Sequence, residues 1–209
     1  MNPRIEARTA AAPQDWPRRT GFSWHHIIPS AVLIAVWNRL VDQQLGSVMP
    51  EARTALGQHL RLCGVGAANV DELVDRMRVG NTAMRHAGHN PLRSLDDGEV
   101  LMMQSAAAWP PWNAVQGPDK RRDDPENRYM DRFTFGLTPE ESARMRAIET
   151  LFNQFQQFIG LGPNPGPASF RTLAGAESVA RSVIGRARPI EYRADMWVAL
   201  GDGWWRKNR

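Results

Sequence analysis

Apolar residues recur at helical spacing along most of this chain and alternate only in short stretches. The clearest period lies at 139–159, where Met145, Ile148, Leu151, Phe152, Phe155, Phe158 and Ile159 fall on one face. Thr138-Pro139-Glu140-Glu141 ahead of it predicts a capping box with proline at the first helical position. Leu33, Val36, Trp37 and Leu40 predict a helix opened by Pro29-Ser30. Ala52, Ala55, Leu56, His59, Leu60 and Cys63 predict a second over about 50–63. Further helices are expected at about 70–79 behind Asn69, at 95–108, in a short piece from Asp124-Pro125 through about Phe133, and at 174–184.

Between these lie breakers. The prolines of 109–118 exclude a helix there, 80–91 reads as a loop, and 160–167 reads as a stop and linker. The run 21–28 is β-prone and predicts a strand pair or a strand and turn. Residues 189–205 fit strands or a helix, and 1–19 read as a flexible arm. No internal repeat occurs. The expected fold class is mainly α with a small β element (α+β), as a single domain over 20–209.

Composition narrows the function classes. Hydrophobic residues make up 42% of the 209, enough for a real core. The net charge of +4 permits nucleic-acid binding without requiring it. Nearly all the basic residues are Arg, the better bidentate phosphate ligand, although a GC-rich genome would enrich Arg as well. Cys63 is the single cysteine, so one chain offers no disulfide framework and no cysteine-based zinc site. Its place at a helix end suits a buried small hydrophobe. No apolar run approaches membrane-spanning length, and no signal-peptide core is evident. The expectation is a protein made in the cytoplasm, with any export left to a dedicated system.

The chemistry concentrates in Gly21-Phe22-Ser23-Trp24-His25-His26-Ile27-Ile28-Pro29. Neighbouring side chains of a strand point to opposite faces. Two adjacent imidazoles can therefore divide the work, one binding a metal and one taking a proton. Arg85-His86-Ala87-Gly88-His89 offers a rival metal site. His59 sits on a helix stripe and reads as structural. Neither a phosphate loop nor a nucleophile elbow is present.

His25-His26-Ile27-Ile28-Pro29 resembles the first half of the His-Me finger (HNH/endonuclease VII) nuclease motif. That resemblance implies a ββα-metal finger, here embedded in a helical domain with an insertion at about 30–108. It also implies one divalent ion, Mg²⁺, Mn²⁺, Zn²⁺ or Ni²⁺. In that register His26 is the general base and His25 a metal ligand. Asn113, in Trp112-Asn113-Ala114-Val115, resembles the motif's asparagine, whose amide oxygen would hold the ring of His26. The motif's helix histidine is missing, because no His follows His89. Asp123 or Asn127 would supply that ligand, with Asp124 better read as a helix cap.

Lys120, Arg121 and Arg122 suit phosphate contacts. Trp109 and Trp112 suit base stacking or packing under a loop. Trp204-Trp205-Arg206-Lys207 suits an aromatic-basic surface for nucleic acid or a protein partner. The implied activity is metal-dependent phosphodiester hydrolysis, of DNA first and RNA second. A catalytically degenerate binding module is the alternative. Nuclease domains that start Trp-His-His, Ala-His-His or Gly-His-His recur among bacterial polymorphic toxins, often delivered by type VI or contact-dependent secretion. An immunity protein is therefore the implied partner.

Overall fold

The computed structural model describes residues 3–6, 13–17, 19–46, 49–79, 94–125, 129–185 and 187–208. Strand β1 (Phe22–His26) leads into helix α1 (Ser30–Gly46), followed by α2 (Pro50–Leu62), α3 (Ala67–Val79) and α4 (Asp97–Ala108). A 3₁₀ turn (Pro111–Asn113) then enters β2 (Ala114–Pro118). Two long helices follow, α5 (Pro139–Gly160) and α6 (Pro167–Ile184). A second 3₁₀ turn and the hairpin β3 (Trp197–Gly201) and β4 (Trp204–Lys207) complete the order.

The α+β expectation holds. β1 pairs antiparallel with β2, and β3 with β4, as two separate two-stranded sheets. The partner of β1 is not found within 21–28. It comes from beyond four helices, with His25 opposite Val115 and His26 opposite Ala114. Helices α1–α4 thus fill the connection between the two strands, where the insertion was expected.

Helices α1, α2, α5 and α6 form the larger apolar body, with α2 against α6, α5 against α6, and α1 against both α2 and α5. Trp37, Leu56, Leu60, Phe155 and Phe170 are fully enclosed there. α5 begins with the expected capping box, Thr138 accepting from the Glu141 N–H at 3.2 Å while Glu141 accepts from the Thr138 N–H at 2.8 Å. His59 is buried between α2 and α6, its Nδ1 2.6 Å from Glu177 Oε1.

Three expectations change. α6 starts at Pro167 and not near 174, because the last proline of the linker is the helix's first-turn residue. The helix expected over 124–133 is absent among the described residues of that stretch. Asp131 and Met130 are adjacent and both buried, which an extended path allows and a one-faced surface helix does not. The described residues there therefore do not supply the ββα finger's own helix. Residues 3–6, expected in a flexible arm, dock on α1: Trp37 Nε1 donates to Pro3 O at 2.7 Å, and Asn38 bonds Ile5 on both backbone atoms at 2.7 and 2.9 Å.

Candidate active site

β1 delivers both histidines to the mouth of a cavity of about 170 Å³. Trp24, His25, His26, Pro29, Ser30, Asp124, Pro125 and Tyr129 line it. The pair lies at the strand's last two positions, so both rings reach the same opening although they leave opposite faces.

Each ring is oriented by a backbone carbonyl. His26 Nε2 donates to Ala108 O at 2.8 Å. Ala108 is the last residue of α4, so this is one of the carbonyls a helix end leaves without an internal partner. His25 Nε2 lies 3.1 Å from Pro118 O and 3.2 Å from Ser23 Oγ. A carbonyl only accepts, so both neutral rings carry their proton on Nε2 and their lone pair on Nδ1. Among the described residues neither Nδ1 has a hydrogen-bond partner.

Burial keeps both rings neutral. It is the largest influence on His26 and, with the nearby His25, outweighs the Ala108 carbonyl, pushing the pKa down to about 4. His25 is lowered too, first by burial and then by the Arg121 guanidinium, against the pull of Asp124 and Asp131. Trp109 covers the His26 ring, with centroids 3.7 Å apart. On the far side Gly117 leaves room for Trp197: a Cβ there would stand 2.5 Å from Trp197 Cζ2 and 3.1 Å from His25 Cδ2.

Asn113 is fully buried and serves the backbone. Its Oδ1 accepts from the Ile28 N–H at 2.7 Å, its Nδ2 donates to Ile28 O at 2.9 Å, and its own carbonyl accepts from the Ile27 N–H at 2.8 Å. It thus fixes the turn directly after His26, whereas the expected contact to the His26 ring is made by Ala108. Two side chains hold Asn113 in turn. Trp112 Nε1 donates to Leu62 O at 2.9 Å, and buried Arg144 donates to Trp112 O through Nε at 2.9 Å and to Pro111 O at 3.1 Å.

The remaining predicted residues separate. Asp123 turns from the cavity, accepting the Lys207 N–H at 2.8 Å with its other oxygen 3.6 Å from Arg121 Nε. Asn127, His86 and His89 lie outside the described residues. Arg121 is buried and bonded to Asp131 at 2.7 and 3.3 Å, with its guanidinium 4.8 Å from the Trp197 ring centroid. It is a core cation and not a phosphate contact. Lys120 and Arg122 on either side of it are exposed. Trp112 is buried under the turn, and Trp109 packs on His26 and Trp16.

Three participants were not assigned to the site from sequence. Asp124 lines the cavity, its Oδ1 3.4 Å from the Arg121 guanidinium; its place in the Asp-Asp-Pro run was its only signal. Asp131 accepts both Arg121 and Lys207, with no motif to announce it. The Ala108 carbonyl, as backbone, carries no side-chain signature at all.

A divalent ion would find His25 Nδ1 and the Asp124 carboxylate at one cavity, while no three His, Cys, Asp or Glu side chains converge among the described residues. An imidazole with a carboxylate suits a transition-type divalent ion such as Zn²⁺ or Ni²⁺ better than Mg²⁺, with water in the remaining positions. Comparison with protein-family models, with curated proteins and with solved structures gives no match to this chain. No described helix is long and apolar enough to cross a membrane.

Proposed function

We propose that this chain hydrolyses phosphodiester bonds of nucleic acid, DNA before RNA, with His26 as general base. One observation carries the reading: two adjacent neutral histidines open on one cavity beside Asp124, each tied through Nε2 to a backbone carbonyl with Nδ1 left bare. A base needs an unprotonated lone pair at working pH, and the pKa of about 4 keeps His26 in that form while leaving it a weak base.

His26 Nδ1 takes a proton from a water in the cavity. The water oxygen bonds to phosphorus, the bond to the 3′ oxygen breaks, and that oxygen takes a proton from solvent. The Ala108 carbonyl then steadies the imidazolium through the Nε2–H. His25 and Asp124 would hold a divalent ion, which supplies charge neutralisation at the phosphate and at the leaving oxygen. Asn113 keeps the His26 backbone in register. Among the described residues, Arg122 and Lys120 are the cations without a carboxylate partner closest in sequence to Asp124. The resemblance to toxin nucleases extends the proposal to toxicity inside bacteria, relieved by an immunity protein.

Plasmid nicking by purified protein tests this. Wild type is expected to cut with Mg²⁺, Mn²⁺, Zn²⁺ or Ni²⁺ and to stop in EDTA. His26→Ala is expected to lose about 10²–10⁴ in rate, the usual contribution of general base catalysis. A folded His26→Ala variant that cuts like wild type would remove the mechanism.

A further inference from the structure

We propose that the outer face of the C-terminal hairpin is a stacking platform for an unpaired nucleic-acid strand. This rests on the nuclease reading and gives that site its substrate-feeding surface. Segment 120–122 runs beside β4 as an extra strand: Trp205 N donates to Lys120 O at 3.0 Å and Arg122 N to Trp205 O at 3.0 Å. Alternation then sorts the side chains. Arg121 and Lys207 turn inward to Asp131. Lys120, Arg122, Trp204 and Arg206 turn the other way.

The outward set has the makings of a base-stacking site. Trp204 is among the exposed large apolar side chains, 37% accessible. Its cross-strand neighbour is Gly201, which puts no side chain opposite the indole. The Arg122 guanidinium lies over the Trp204 ring, 5.6 Å from its centroid, a cation–π contact that a base would share or displace. Several other surface cations are paired, Arg4 with Asp42, Arg53 with Asp75, Arg132 with Glu149 and Arg171 with Glu51. Lys120, Arg122 and Arg206 have no carboxylate partner among the described residues.

An exposed indole with Arg122 over it, on a face that also carries Lys120 and Arg206, suits a polyanion with free base faces. Stacking supplies sequence-tolerant affinity and the cations track the backbone. A duplex hides its base faces and would gain only from the cations. The geometry also links platform and cavity. Lys120 lies four positions before Asp124, a reach of at most about 14 Å.

The test is fluorescence anisotropy in EDTA, which stops cutting and leaves binding to be read. Labelled oligothymidylate, oligouridylate and a duplex are compared on wild type, Trp204→Ala, Trp204→Phe and Arg122→Gln, each checked for native melting. Trp204→Ala is expected to weaken binding of the single strands about tenfold, Trp204→Phe to restore most of it, and Arg122→Gln to flatten the salt dependence. Unchanged affinity in Trp204→Ala, preference for the duplex, or no binding would each overturn the platform. Wild type that binds single strands through Trp204 yet never cuts would end the nuclease reading and leave the platform standing. Cutting with a Trp204-independent affinity would do the reverse.

Discussion

His59 and His26 are both withdrawn from solvent, yet their surroundings make opposite use of the ring. His59 lies in the helical body with Glu177 against its Nδ1 at 2.6 Å. Burial works to discharge it, but Cys63 and Glu177 outweigh that and hold its pKa well above the ordinary value. The ring is a structural cross-link between α2 and α6. His26 has only a carbonyl for a partner, so burial wins and the ring stays neutral with one nitrogen free. A carboxylate partner spends a histidine on structure, whereas a carbonyl partner beside an opening leaves it available for chemistry.

The helical cross-link gives the largest stability effect. Glu177→Ala strands a buried imidazole, and removing one partner of a buried pair costs about 3–5 kcal/mol. Chemical denaturation should show that loss. A cost below about 1 kcal/mol would mean that the pair is not the cross-link described. At the strand end, Asn113→Ala leaves the Ile28 N–H and C=O unpaired, at about 1–3 kcal/mol for a buried group. Its nicking rate should also fall well below the melting temperature, because the turn that aims His26 loosens. An unchanged rate in the folded variant would separate Asn113 from the site.

The mildest expectation is a difference in sign with pH. His26 has a folded pKa of about 4 against an ordinary value of 6.5, so the unfolded chain binds more protons between them. Its contribution to stability therefore falls as pH drops from about 6.5 towards 4. His59 runs the other way. Its contribution is complete below the ordinary histidine pKa and is lost as pH rises through the raised folded value. Replacing His26 with Gln should flatten the acid limb of a melting-temperature profile and leave the alkaline limb alone.

The same two regions differ in how much the sequence discloses. The body is written locally. The 139–159 period and the Thr138–Glu141 box predict α5 to within a residue, because helix bonds and stripes are short-range. The His25-His26 pair is equally plain as residue types. Its setting is not, since the β2 partner and the Ala108 carbonyl arrive from more than 80 residues away. Met130 and Phe133 have helix-like spacing, but the Asp131 link to Arg121 and Lys207 overrides it. For the same reason Arg121 reads as a phosphate contact in sequence and is a core residue in the fold.

The most direct measurement is the ¹⁵N shift of the histidine ring nitrogens, followed with pH and assigned through His26→Gln. The account predicts that His26 is protonated on Nε2 alone, with Nδ1 unprotonated from neutral pH down to about 5, near the onset of a pKa of about 4. A ring protonated on Nδ1, or one that titrates near the ordinary 6.5, would contradict it, because the lone pair would then not be held ready at the cavity.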